Sequence, residues 1–529
     1  MKRTGLVPVI LALALIGGGF LRVAGINGKS NLGMDEGISY LAATGHEGEY
    51  IDVINTKSAP YGSWVKASEW KRFIQPEDLF CFNTISSDLA NYDVHPPLYF
   101  WILHIWFMVF GVGISSGPLL NVALFVPSVF TLFYLARYCL KNSMEAALVA
   151  LIWSASPAVI RISFISRNYS LLVLLSIIFV REILKFSDVT EKIKWPDYFL
   201  LFITAGAGML THYHFLLLMA GAVLFIILRL FKKNKRRLAT ALSLIGLGCL
   251  LLVLLHPDFY LSFLLEQSRD HSVQYRGFFP RMNKVASAFF DFIIGNRVIQ
   301  GGLMIIFIAI IIPFLIIRVK DRGRWIKATD GNHFTGLSII YFLVWTGGTI
   351  TLLYLIGVTS LQQMGKRYLS MVYPFLAFVP VMFFRFFGRA KVIVSTCFCV
   401  LIFISSGMMV WRYNNSQKQI FDPEALLCES QKVLIDNDSR LFIPPLLPYI
   451  PDDIHLFVAS QDFLLTHRKD WMNDLGKSSV YISRGYKAEK AGRKDILEVI
   501  SRKYKIREVD GAATKMRKIF KVKPRVYPE

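Results

Sequence analysis

Apolar runs close to 20 residues long recur through most of this chain, and short clusters of Lys and Arg separate them. A helix of about 20 apolar residues matches the hydrocarbon core of a bilayer. It also satisfies its own backbone hydrogen bonds where no water can. Hydrophobic residues make up 54% of the 529 positions and charged residues 18%, whereas a soluble chain carries about a quarter charged. The fold class that follows is a polytopic α-helical membrane protein, with the lipid bilayer as its first partner. The formal net charge of +22 does not indicate nucleic acid, because the basic residues sit in loop-sized clusters rather than along one stripe. Six cysteines, widely scattered, suit neither a disulfide framework nor a zinc module.

Charge sets the orientation. Met1-Lys2-Arg3 precedes an apolar stretch over residues 6–23, which places the N-terminus in the cytoplasm and reads as a retained anchor. Basic clusters lie at Arg137–Lys141, Arg181–Lys194, Lys232–Arg237, Arg318–Lys327 and Arg385–Lys391. All become cytoplasmic if the chain crosses near 5–25, 118–136, 144–161, 169–186, 197–211, 215–231, 238–256, 300–318, 336–358, 369–386 and 392–411, about eleven transmembrane helices. The segment 96–112 is left out of that count, since including it would invert every later cluster. Its six aromatic residues suit an interfacial helix at headgroup level. The expected organisation is a membrane domain over residues 1–411, with a first outer loop at 26–117, followed by an extracytoplasmic domain at 412–529. The protein is expected in the inner or plasma membrane as a multi-pass chain.

The tail carries 22 Lys and Arg against 16 Asp and Glu. Arg440–Ile443, His455–Val458, Ser479–Ile482 and Lys518–Val522 have strand character, and Lys494–Tyr504 has helical periodicity, so a small α/β domain is expected.

The polar residues of the outer side carry the chemistry. Met34-Asp35-Glu36-Gly37 follows the first span, and adjacent carboxylates beside low dielectric need a reason. Asp35 as a helix N-cap is one; a general base is another, with Glu36 and partial desolvation expected to raise its pKa. Tyr92-Asp93-Val94-His95-Pro96-Pro97 ends in two prolines that favour a helix start. Asp93 and His95 there suit capping, binding of a phosphate, or a divalent cation shared with the first acids. Arg167, before Asn168-Tyr169, and Lys366-Arg367-Tyr368 put cations on the outer side against the usual bias. A lipid phosphate would account for them, since guanidinium pairs bidentately with phosphate oxygens; headgroup anchoring would too. His212 and His214 flank Tyr213 in an outer turn, and His271 lies in a polar outer loop.

These motifs, in this order, resemble those of the family 39 glycosyltransferases, the protein O-mannosyltransferases and their bacterial relatives, including the aminoarabinose transferases. Asp35-Glu36 is similar to their Asp-Glu motif, and Asp93-Val94-His95-Pro96-Pro97-Leu98 to their D-x-H-P-P-L segment. Ser156-Pro157 followed by Arg167-Asn168-Tyr169 resembles a further outer turn, and Lys366-Arg367-Tyr368 with Pro374 their late Arg-Tyr motif. The resemblance covers roughly residues 1–390 and implies a GT-C fold with interfacial helices in the first loop. It also implies an inverting transferase that moves a hexosyl or pentosyl unit from a polyprenyl-phosphate sugar donor to a hydroxyl on a glycan, lipid or protein acceptor. Asp35, with Glu36, would be catalytic. His95, Arg167, Lys366 and Arg367 would hold the donor phosphate, and Asp93, Tyr169, His212, His214 and His271 would line the cleft. A divalent cation at Asp93 and His95 stays open. The reading from a different class is a transporter or a lipid or polysaccharide flippase. That function would place its sites near the midplane of repeated halves.

Overall fold

The computed structural model describes residues 5–30, 32–268, 278–294, 333–355, 366–418, 430–475, 479–484, 490–509 and 517–524. The expected span at 300–318 and His271 lie outside these residues.

The helices follow the apolar periods, and most run between two opposite ends of the bundle. Helix α1 (Leu6–Asn27) leads into a first loop that is itself structured. This loop holds α2 (Met34–Ala43), α3 (Glu47–Thr56), strand β1 (Val65–Lys66), α4 (Ala67–Lys71), α5 (Phe82–Tyr92) and α6 (Leu98–Phe110). Helix α6 has 13 residues, about 20 Å of rise and too short for a hydrocarbon core of roughly 30 Å. Helices α7 (Ser116–Leu140), α8 (Ser143–Ser154), α9 (Pro157–Ser163), α10 (Tyr169–Ser187), α11 (Trp195–Thr211), α12 (Phe215–Leu230) and α13 (Lys235–Leu255) then build the bundle. Four helical stretches among the described residues are long and apolar enough to cross a membrane, and a bent pair makes a fifth. The other expected spans are shorter, carry more charge or fall outside the described residues.

Two breaks have local causes. The expected span 144–161 is split into α8 and α9, bent by 56°, because Pro157 starts α9 and disfavours helical backbone at Ser156. Carbonyls freed at the bend are met by side chains: Arg22 donates to the Ser154 carbonyl at 2.8 Å, and Ser406 Oγ donates to the Ala155 carbonyl at 2.5 Å. The second break separates the spans expected at 369–386 and 392–411. Gly388 sits there at φ 51 and ψ −117, a conformation open to glycine.

The tail forms a six-stranded sheet in the order β1-β3-β2-β4-β6-β5. Its strands are β2 (Lys432–Ile435), β3 (His455–Val458), β4 (Ser479–Arg484), β5 (Tyr504–Glu508) and β6 (Arg517–Pro524). Strands β2, β3 and β4 are parallel. Arg440–Ile443, expected as a strand, is a turn ahead of Pro444-Pro445, and the central strand is the short run Lys432–Ile435 instead. The helix expected at Lys494–Tyr504 runs over Lys490–Ser501, and Tyr504 instead opens the edge strand β5.

The sheet is not built from the tail alone. Val65 and Lys66 of the first loop pair antiparallel with Leu456 and His455. Tyr50, Trp70 and Phe73 of the same loop share a hydrophobic core with the buried faces of β2, β3 and β4. The loop that carries Asp35 is thereby locked to the tail.

Candidate active site

Helix α2 begins at Met34, with Gly33 rather than Asp35 as its N-cap. Asp35 and Glu36 both fall in its first turn, where a carboxylate complements the helix dipole, but they face opposite ways. Glu36 is buried at 2% exposure. It accepts from the Gly33 amide at 2.8 Å, from Lys29 Nζ at 2.7 Å, and from the Ser166 amide and hydroxyl at 2.9 and 3.1 Å. It clamps the entry of α2 to the turn before α10, and its oxygens are fully engaged. Asp35 is the open member of the pair, its side chain 41% exposed.

Around Asp35 the structure brings together four segments distant in sequence. Arg367, from a 3-10 stretch at Lys366–Val372, donates through Nη1 to Asp35 Oδ2. The Arg367 guanidinium also lies 5.9 Å from the ring centroid of Tyr169. Arg167 Nη1 donates to the Asp35 carbonyl at 3.2 Å and to Ser39 Oγ at 3.1 Å. Its Nη2 lies 2.8 Å from His95 Nε2, and His95 Nδ1 lies 3.0 Å from Asp93 Oδ1. Because guanidinium can only donate, His95 Nε2 must accept, so the proton sits on Nδ1 and goes to Asp93. His95 is therefore a neutral imidazole with a fixed tautomer. Asp93 ends α5 as its C-cap and takes the Val94 amide at 2.6 Å.

Electrostatics follow from these contacts. Burial pushes the Asp35 carboxyl up, but Arg167, Arg367 and His95 outweigh it and hold the group below the ordinary carboxylate range. The sequence expectation of a raised Asp35 is thus corrected: Glu36 turns away, and two guanidinium groups decide the sign. Burial likewise opposes ionisation of Asp93, and His95 and Arg167 overrule it to keep the carboxylate charged. Burial and the Arg167 charge lower His95 against the pull of Asp93, in keeping with the neutral tautomer.

His212 and His214 join the same cluster from the turn between α11 and α12. The His212 ring centroid lies 6.0 Å from that of His95, 5.9 Å from Tyr169 and 4.6 Å from His214. His212 Nδ1 accepts the His214 amide at 3.1 Å. Burial, then His214 and His95, hold His212 well below its ordinary range. Both ring nitrogens of His95 are engaged, so neither faces a cation in this arrangement. Among the described residues no group of three or more His, Cys, Asp or Glu side chains converges to hold a metal. The Lys366 side chain lies outside the described positions.

A residue missed in the sequence is Glu47, at the start of α3, fully buried and paired with Arg440 of the tail. Its single sequence signal is an acid in a first helical turn, which capping alone would explain.

The family model described as dolichyl-phosphate-mannose-protein mannosyltransferase matches residues 94–257, a stretch that contains His95, Arg167, Tyr169, His212 and His214. No curated protein sequence matches the chain. The fold is similar to that of ArnT from Cupriavidus metallidurans bound to undecaprenyl phosphate, at 12% identity and a TM-score of 0.56, covering 98% of each chain. The apo form of the same protein is similar at 14% identity and a TM-score of 0.54, again over 98% of each chain. The chain thus shares the fold of that protein, a polytopic helical bundle with a C-terminal β-sheet domain.

Proposed function

We propose that the protein is an integral membrane glycosyltransferase that moves a sugar from a polyprenyl-phosphate donor to a hydroxyl acceptor, inverting the anomeric centre, with Asp35 as the base. The observation that carries this reading is the convergence of Asp35 with Arg167 and Arg367, which lie 132 and 332 residues away along the chain. Two guanidinium groups beside one half-exposed carboxylate suit a reaction in which a phosphate departs while a hydroxyl loses its proton. The mannosyltransferase family match and the fold shared with a protein bound to undecaprenyl phosphate support the same donor class.

The residues assign the steps. Arg367 and Arg167 receive the donor phosphate, since both present N–H donors to its oxygens and its negative charge grows as the bond to the sugar breaks. As the phosphate takes Arg367, Asp35 loses one of the cations that lower its pKa, and it becomes a stronger base at the moment the donor is seated. Asp35 then takes the acceptor hydroxyl proton while the oxygen attacks the anomeric carbon, and the bond to phosphate breaks on the opposite side. The leaving phosphate is a stable anion and needs no strong acid. Positive charge held in place where the negative charge develops is what the site contributes. Neutral His95, oriented by Asp93, fixes Arg167; Glu36 holds the helix turn that presents Asp35. His212 and His214 complete the wall.

In this reading the chain crosses the membrane eleven times with the site on the extracytoplasmic face. Support comes from the two ends of the bundle. Arg137, Lys141, Lys185, Lys232 and Arg385 cap helix ends opposite those that carry Asp35, His95, Arg167, His212 and Arg367, which is the charge asymmetry expected across a membrane. The test is transfer by the reconstituted protein from defined undecaprenyl-phosphate sugars, alongside mass spectrometry of lipid-linked sugars in cells with and without the gene. Accumulation of one polyprenyl-phosphate sugar identifies the donor; unchanged lipid-linked sugars and no transfer contradict the reading.

A further inference from the structure

The tail is electrically lopsided. Residues 412–483 hold 7 Lys and Arg against 10 Asp and Glu, whereas residues 484–529 hold 15 against 6. All of its basic excess therefore sits in the second part, which strands β5 and β6 close. These pair antiparallel, with Lys505 opposite Lys523 and Arg507 opposite Lys521. Paired residues and their second neighbours share one face of a sheet, so the four cations form a two-by-two grid. Lys505, Arg507 and Lys523 are exposed and Lys521 is half-buried. Glu508 falls on the other face, opposite Phe520, and pairs there with Lys518. Like charges directly opposite one another destabilise a strand pair. Lysine on an edge strand guards against edge pairing and accounts for β5, but β6 lies inside the sheet between β4 and β5. The grid works against the fold that carries it, which points to a ligand outside that fold.

The surroundings narrow the ligand. Among the described residues beyond Trp411, no large hydrophobic side chain is exposed. A protein interface uses apolar and aromatic anchors and is depleted in lysine, and single-stranded nucleic acid needs rings to stack on. Strand β5 is also the edge opposite β1, through which the first loop ties the sheet to the bundle, five strand spacings or about 24 Å away. That position suits a ligand in the aqueous phase rather than a lipid surface. Along each strand the cations recur at every second residue, about 7 Å. Phosphodiesters joined by three-carbon units repeat every six bonds, also about 7 Å when extended.

We propose that the β5–β6 face docks an envelope polymer of repeating phosphodiesters and holds it as the hydroxyl acceptor. The acceptor role rests on the proposed transferase reading; polymer binding does not. The full-length protein in phosphatidylcholine nanodiscs is titrated with fluorescent poly(glycerol phosphate). Wild type is compared with the quadruple variant Lys505→Gln/Arg507→Gln/Lys521→Gln/Lys523→Gln and with Arg468→Gln/Lys469→Gln on the acidic part of the tail. Wild type and the Arg468/Lys469 variant are expected to bind alike, and the quadruple variant roughly 10- to 100-fold more weakly. Wild-type affinity should fall by a similar factor between about 50 and about 200 mM salt, the scale of four released counterions. The quadruple variant should melt no lower than wild type, because its cross-strand repulsion is relieved. With the polymer as acceptor its KM rises while kcat, and transfer to a small monomeric alcohol, stay unchanged. Equal affinity of wild type and the quadruple variant overturns the proposal, as does an equal loss in the Arg468/Lys469 variant. Grid-dependent binding of phosphatidylglycerol vesicles without polymer binding makes the face a membrane contact and overturns it too. Polymer bound through the grid with no transfer from any donor instead sinks the transferase reading, while the docking surface stands.

Discussion

The two ends of the helical bundle both hold buried acids, and they hold them differently. At the basic end Glu182 pairs with Arg181 at 2.8 Å, and Asp197 pairs with Lys185 at 2.5 Å. All four lie within residues 181–197, so each charge is matched by a near neighbour in sequence. At the other end Asp35, Asp93, His95, Arg167 and Arg367 come from separate segments and form one chain of contacts. Helix α10 joins the two regions, with Tyr169 at one end and Glu182 near the other, about 20 Å apart along its axis. Local compensation staples a fold; charges gathered from far apart around an open carboxylate are the arrangement on which the proposed donor site rests.

The largest test of this contrast is Asp35→Asn. Sugar transfer is expected to fall by about 10²–10⁴-fold with donor binding retained, measured with a synthetic polyprenyl-phosphate sugar. Lys185→Ala at the basic end should leave the rate per folded molecule unchanged. Equal losses in the two variants would erase the distinction between the ends.

Next come the guanidinium groups. Arg367→Ala and Arg167→Ala are each expected to cost roughly 10²–10³-fold in kcat and to weaken donor affinity, read as kcat and KM separately. Arg367→Lys should recover little, because a single ammonium cannot reproduce the two-pronged contact.

Glu36→Gln probes the clamp rather than the chemistry. Removing the charge from a buried pair with Lys29, whose side chains are 4% and 3% exposed, is expected to cost about 3–5 kcal/mol of stability. The melting temperature should drop more than activity per folded molecule does. A variant that melts normally and fails to transfer sugar would instead make Glu36 catalytic.

The smallest effects are those of pH on stability, and the site acids and Glu47 have opposite signs. Asp35 and Asp93 are held below the ordinary carboxylate value of 3.8, so their contribution is present above that value and is lost as pH falls through the lower folded values. Glu47 is raised from 4.5 to about 8, so its contribution is complete below 4.5 and is lost as pH rises toward 8. Denaturation of the detergent-solubilised protein should therefore show greatest stability on the acid side of neutrality, with the alkaline loss removed in Glu47→Gln.

The residues of the site were legible because each looks misplaced on its own: acids beside a membrane, arginines on the wrong side of it, a histidine before two prolines. What could not be read was which group meets which. Glu36 and Asp35 are neighbours in sequence and have opposite fates, because one residue step along a helix turns them about 100° apart. The bend at Ser156-Pro157 had a signal in Pro157, masked by the apolar continuity of the span. The pairing of β1 with β3 and of Glu47 with Arg440 had none, since contacts across almost the whole chain leave no local period to detect. The central strand β2 was passed over for a similar reason: four residues of a buried parallel strand have no alternation.

Binding of undecaprenyl phosphate to the purified protein, followed by native mass spectrometry, tests the central claim most directly. Wild type and Asp35→Asn should both retain the lipid, and the double variant Arg167→Ala/Arg367→Ala should lose it while keeping its fold. Equal retention by the double variant would contradict the account, because the cations that meet at Asp35 would then not be the phosphate site.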